Sequence, residues 1–180
     1  MTDAHRRKKK PELVRSRLME STIGLAREQG LSNVGLDAVA KASDVTRGAL
    51  SHHFPTKKLL VDAVIEQMMT ELETDIEKKM KELPAGKGLF SRAYLEMSLD
   101  TQVVGDGTVA IWASISDAEL RQAWKERFNV WLERYGPDEL GPEYEAVRFA
   151  ADGIWLGILA GVVPKDPAAL RAVVLAMLPS

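Results

Sequence analysis

The 180-residue chain contains no cysteine. That excludes disulfides and thiolate metal sites and fits a reducing compartment. Histidine is nearly as scarce, with only His5, His52 and His53. The last two are adjacent, and adjacent residues on a helix point in different directions. They therefore make no chelating pair, and no metal is expected. Long apolar runs are missing too. The longest, Gly153 to Val163, falls far short of the roughly 20 residues that span a bilayer and reads as a buried helix. No membrane partner is expected. The polar, basic N-terminus does not read as a secretory signal, so the cytoplasm is the expected compartment. Sustained strand alternation is absent, which leaves an all-α chain. Gly105-Asp106-Gly107 lacks the lysine and spacing of a phosphate-binding loop and reads as a turn. Carboxylates are abundant, but no spacing marks a catalytic pair. No catalytic residue, no enzymatic activity and no cofactor are expected.

What is present is unevenly distributed. The net charge of −2 hides a balance of +6 over residues 1–60 and −8 over residues 61–180. A basic module joined to an acidic one implies that the first faces a polyanion. Arg6, Arg7, Lys8, Lys9 and Lys10 close a basic arm without fixed structure, either a solvated tail or a segment that rests on phosphates. Helix one is expected to start near Pro11 and to stop at Gly30, with Val14, Leu18, Thr22 and Leu25 at helical spacing.

Residues 36–60, LDAVAKASDVTRGALSHHFPTKKLL, hold most of the information. They read as a short helix carrying Leu36, Val39 and Ala40, a tight turn, a second short helix with Leu50 and Phe54 inward, and a third beginning at Thr56. That is the layout of a helix-turn-helix that reads DNA. Thr46 is a natural N-cap. Arg47 can reach a guanine edge or a phosphate. Gly48 and Ala49 keep the surface low, while Ser51, His52 and His53 offer hydrogen bonds. Lys57 stands in the first turn of the next helix, where a cation opposes the macrodipole unless phosphate neutralises it. That helix runs to about Leu83, with Leu60, Val64, Met68 and Leu72 on one stripe.

The apolar positions and polar caps agree together with one family pattern. Through Gly30, Leu36, Val39, Ala40, Val45, Thr46, Gly48, Leu50, His53, Phe54, Thr56, Lys57 and Leu60, roughly residues 12–60 resemble the DNA-binding domain of the TetR family of transcriptional repressors. The resemblance implies an N-terminal three-helix DNA-binding domain, residues 1–60. A long helix four joins it to a helical effector-binding and dimerisation domain, residues 61–180. It also implies a homodimer on a double-stranded operator, a small-molecule effector pocket and a four-helix dimer interface. Three positions depart from the pattern. Gly35 stands where the family often caps helix two with Ser or Thr. Asp44 occupies the usual glycine of the turn and tolerates a left-handed backbone. Ser51 replaces a phosphate-contacting tyrosine with a shorter hydroxyl. Gly35 is retained among the DNA-facing residues.

Beyond residue 60 helices are expected at about 89–103, 107–115, 117–134, 143–162 and 167–178, with Asp117 as a cap. Phe149 to Gly157, FAADGIWLG, is weakly similar to the penultimate helix of the choline-responsive repressor subgroup. Gly153, Gly157 and Gly161 lie four apart and form a groove for another helix backbone, across the family's dimer interface or within one subunit. Trp124, Phe128 and Trp131 share a helix face, with Trp112 and Trp155 on neighbouring helices. These rings are core filler or a cage for a cationic or flat apolar effector. Asp152 balances a cationic ligand or bonds at a helix interface. The expected function is a ligand-released repressor on a palindromic operator; the alternative is a helical dimeric scaffold with a vestigial helix-turn-helix.

Overall fold

The computed structural model describes residues 3–100 and 118–179. Among these residues it is all-helical, with eight α-helices and no strand. The expected helix at 107–115, Gly105, Trp112 and the Asp117 cap lie outside them. The chain divides into two units whose boundary falls inside the fourth helix, between Met68 and Met69.

In the first unit, α1 spans Asp3–Gln29, followed by a 3₁₀ turn Leu31–Asn33, α2 (Leu36–Ala42), α3 (Arg47–His53) and the start of α4 (Lys57–Glu82). The basic arm is not a coil: α1 begins at Asp3 and carries Pro11 in its interior. Arg, Lys and Ala are strong helix formers, so the helix continues across the one hydrogen bond that proline deletes. Gly30, at φ 81°, stops α1 and donates to the Ala26 carbonyl at 2.9 Å. Leu18, Val39, Leu50, Phe54, Leu60 and Val64 are buried. Thr22 is buried among them with its hydroxyl bonded to the Leu18 carbonyl. The core stripe of α4 continues through Met69 and Ile76.

The second unit holds the rest of α4, α5 (Leu89–Leu99), α6 (Ala118–Tyr135), α7 (Pro142–Leu159) and α8 (Pro167–Leu175), with α5 packed on α7 and α8 on both. Its organising contact is buried and polar. α5 starts at Gly88, which has φ 68° and no side chain to cap the helix. The cap comes from Glu139 instead. Its carboxylate accepts from the Phe90 and Ser91 backbone N–H groups, both at 2.8 Å, and from the Ser91 hydroxyl at 2.6 Å. Arg148 donates to Ser91 Oγ at 2.9 Å and to the Glu139 carbonyl at 3.1 Å. A carboxylate at a helix N-terminus satisfies orphan donors and meets the positive end of the dipole.

α7 ends before Gly161, contrary to the expected helix to 162. Gly161 has φ 80° and donates to the Ile158 carbonyl, while Val162 donates to that of Gly157. This is a Schellman stop, which needs a left-handed residue. Gly161 therefore terminates the helix and leaves the glycine groove to Gly153 and Gly157.

Replacing Glu139 by Ala should lower the unfolding free energy by about 3–5 kcal/mol in urea titration, because Arg148 and two helix donors lose their partner inside the core. A change below about 1 kcal/mol would reject that role.

Candidate nucleic-acid interface and ring cluster

α3 is seven residues long and cannot persist alone in water. Local chemistry and burial hold it. Asp44 takes φ 53°, so the α2–α3 turn closes with the non-glycine residue in the left-handed region. The Ser43 hydroxyl bonds the Val39 carbonyl at 2.7 Å, and the Val45 N–H reaches the Ala40 carbonyl at 3.0 Å. Thr46 caps α3, its hydroxyl accepting from the Ala49 N–H at 3.2 Å. Leu50 and Phe54 anchor the inner face. The Arg15 guanidinium of α1 lies 4.4 Å from the centroid of the Phe54 ring.

The outer face is open. Gly35, Thr46, Arg47, Gly48, Ser51, His52 and Lys57 are exposed, with Ala49 and His53 half-buried beside them. Among the described residues, nothing beyond chain neighbours and the helix's own backbone lies within 4 Å of where a Cβ on Gly48 or Gly35 would stand. Gly35 supplies no side-chain cap to α2, as its residue type implies. Thr56 caps α4 through the Leu59 N–H at 3.2 Å. Lys57 does not depend on phosphate for a partner: its ammonium donates to the Ser32 carbonyl at 2.6 Å. That bond takes one of three donors. Sequence reasoning did not single out Asp37 of α2, whose carboxylate sits 3.2 Å from Arg47 Nε.

In the second unit the structure brings Trp124, Phe128 and Trp131 together. Trp124 lies 6.1 Å from Phe128 and 5.7 Å from Trp131, centroid to centroid. Tyr94 and Phe90, one turn apart on α5, extend the cluster, with Tyr94 5.6 Å from Phe128 and Phe90 6.2 Å from Tyr135. Trp131 is fully buried, and among the described residues its indole N–H lies near the Glu73 carboxylate without reaching hydrogen-bond geometry. Asp152 joins through Tyr94, whose hydroxyl donates to it at 2.6 Å. Burial pushes the Asp152 carboxyl up, against the opposing pull of Tyr94 and Arg148. Burial and then Asp152 raise the Tyr94 phenol well above its ordinary range, so it stays a donor. Trp155, on α7, is half-buried. At the other edge, Tyr135 donates to Glu77 at 2.5 Å and to Glu73 at 3.0 Å. Arg127 and Arg134 also bind Glu73, at 3.2 and 2.9 Å. Burial would raise Glu73, but the nearby Trp131 indole, Tyr135 and Arg127 outweigh it and hold the carboxyl below its usual range. Phe90, Tyr94 and Tyr135 were missing from the sequence-based set; the spacing of Phe90 and Tyr94 on one helix face was the available signal.

Among the described residues no group of three or more acidic or histidine side chains is placed to hold a metal, and no helix is long and apolar enough to cross a membrane. A capped reading helix with a buried inner face and an exposed outer one, packed on a short partner helix, defines the class: a helix-turn-helix regulator that binds DNA. Sequence comparison gives the family. Residues 18–64 match the model described as "Bacterial regulatory proteins, tetR family", and residues 88–178 match "Tetracyclin repressor-like, C-terminal domain". The chain belongs to the TetR family, whose members are non-enzymatic DNA-binding regulators of transcription. It is 23% identical over 174 residues to the HTH-type transcriptional regulator BetI of Paraburkholderia phytofirmans, covering 89% of each chain. It is 24% identical to the HTH-type transcriptional regulator CymR of Pseudomonas putida, over 79% of this chain and 64% of that one. The multidrug binding protein EbrR, complexed with malachite green, shares the fold with a TM-score of 0.74 at 21% identity, over 92% of this chain and 98% of that one.

His53 gives a pH test of the packing under α3. Burial, then His52, then Arg15 lower its pKa from 6.5. Folding therefore favours the neutral imidazole, and the stability it contributes is lost as pH falls through the depressed value. The unfolding free energy should drop as pH falls below 6.5, and drop less in His53→Gln. Identical pH profiles for the two proteins would show that His53 does not titrate against the fold.

Proposed function

We propose that the chain is an effector-released repressor that binds a palindromic operator as a homodimer in the cytoplasm. Residues 1–60 form the DNA-binding module and residues 61–180 the effector-binding and dimerisation module. The observation that carries the reading is α3 itself. Its inner residues Leu50 and Phe54 are buried, while Arg47, Gly48, Ser51 and His52 stand exposed on a low outer surface. Gly35, Thr46, Ala49, His53 and Lys57 complete the DNA-facing set. Two reading helices entering successive major grooves sit about 34–36 Å apart on a two-fold operator, or somewhat more.

The face that a second copy would cover is on α7, α8 and the turn that follows α8. Phe149 and Leu156 are 67% and 56% exposed, and Val173 and Met177 are 64% and 49% exposed. Gly153 lies between the first two on one stripe, and among the described residues nothing beyond its own helix backbone and chain neighbours comes within 4 Å of where its Cβ would be. That supports packing against a partner helix over close packing within one subunit. Two such helices from each subunit make a four-helix interface, with Gly157 near its edge.

The effector region is the ring cluster of Trp124, Phe128 and Trp131 with Asp152 and Trp155, and Trp112 from outside the described residues. Its chemistry suits a cationic or flat apolar molecule. The EbrR complex with malachite green, an aromatic cation, supports this for the fold. Such a ligand releases DNA only by its differential affinity for the dimer geometry that does not fit the operator.

Footprinting on the DNA upstream of the gene should show a protected palindrome. Arg47→Ala should weaken operator binding by about 1–3 kcal/mol if Arg47 reads a base; an unchanged affinity would reject that role. Leu156→Glu should shift the sedimentation of the protein from dimer to monomer at micromolar concentration and abolish operator binding. A variant that sediments like the native protein would remove α7 from the interface.

A further inference from the structure

We propose that Asp37 is a positioning residue for sequence reading: it holds Arg47 by Nε so that the two terminal nitrogens face a guanine together. The assignment rests on Arg47 contacting a base. Arginine is the longest and most rotatable side chain on the reading face, so an unrestrained Arg47 would sample phosphate and base edges alike. The structure places a carboxylate on one side of it. Asp37 Oδ1 lies 3.2 Å from Arg47 Nε. A guanidinium engaged at Nε keeps its two end-on N–H groups, the pair that bonds guanine O6 and N7.

The two residues are placed by the scaffold, not by chance proximity. Asp37 stands in the first turn of α2 and Arg47 is the first residue of α3. The turn joining those helices is fixed by the left-handed Asp44, the Ser43 hydroxyl on Val39 and the Val45 N–H on Ala40. Beside Arg47, Gly48 carries no side chain, and among the described residues nothing beyond its own helix and chain neighbours lies within 4 Å of where its Cβ would be.

The pair is not there for folding. Its side chains are 92% and 50% exposed, Asp37 and Arg47 respectively, and exposed ion pairs add little to stability. Its effect appears when DNA excludes water and the local dielectric falls. The carboxylate also stands among phosphates. It disfavours every complex in which Arg47 does not gain a guanine, which raises discrimination while lowering overall affinity. A competing role exists: Asp37 in the first turn favours the N-terminus of α2, which Gly35 leaves without a side-chain cap.

The test uses the full chain and a duplex selected by the native protein from a random pool, with a scrambled duplex of equal length as control. Fluorescence anisotropy at one salt concentration gives both dissociation constants. Asp37→Asn should tighten binding to the scrambled duplex and cut the ratio of selected to scrambled affinity roughly fivefold. In an Arg47→Ala background the same substitution should leave the ratio unchanged. A ratio unaltered by Asp37→Asn overturns the assignment. An equal drop in the Arg47→Ala background also overturns it, and assigns Asp37 to α2 stability. If the native chain selects no sequence at all, the DNA reading of α3 fails first, before any variant is made, and the assignment falls with it.

Discussion

A seven-residue helix has too few backbone hydrogen bonds to repay its own nucleation, so α3 exists only while its inner face stays buried. Everything functional in the first unit follows from that constraint. Leu50 and Phe54 supply the burial, Val39 and Leu60 add to the same core, and Thr46 ties down a free N–H. Because these groups fix the helix, its outer residues need not hold structure at all. They are free to be small, polar and exposed, as a surface that slides along base edges must be.

The second unit solves a different problem. α5 begins at a glycine, and its orphan N–H groups would be stranded in the core. A carboxylate from the loop between α6 and α7 reaches them, and Arg148 of α7 closes the set. This polar knot sits one turn from Tyr94, which links α5 to Asp152 of α7. The ring cluster is therefore bordered by carboxylates shifted in opposite directions. The Trp131 indole, Tyr135 and Arg127 hold Glu73 below its usual range, whereas burial pushes Asp152 up. A cationic ligand near Asp152 would reverse that push.

Much of the first unit was legible because its signals are local. Gly30, Thr46 and Thr56 act on backbone groups within four residues, so a linear reading places them, and Asp44 could be assigned its backbone from residue type alone. Signals that compete were misjudged. Pro11 reads as a helix start, yet the strong helix formers before it carry α1 back to Asp3. Gly161 reads as a groove residue at a spacing of four, yet its left-handed backbone ends α7.

The chain's order of residues determined the all-helical class, the caps and stop around the reading helix at Gly30, Thr46 and Thr56, the reading helix and its charge, because each depends on local spacing that a helix fixes. Only the tertiary structure decided which side chains meet across long separations. Glu139 caps a helix 49 residues away, Glu73 of α4 binds arginines on α6, and Asp37 reaches Arg47 across a turn. No periodicity encodes those pairings: they arise where packed helices bring distant polar groups together and burial makes an unpartnered one untenable, or where a rigid turn sets two charges side by side.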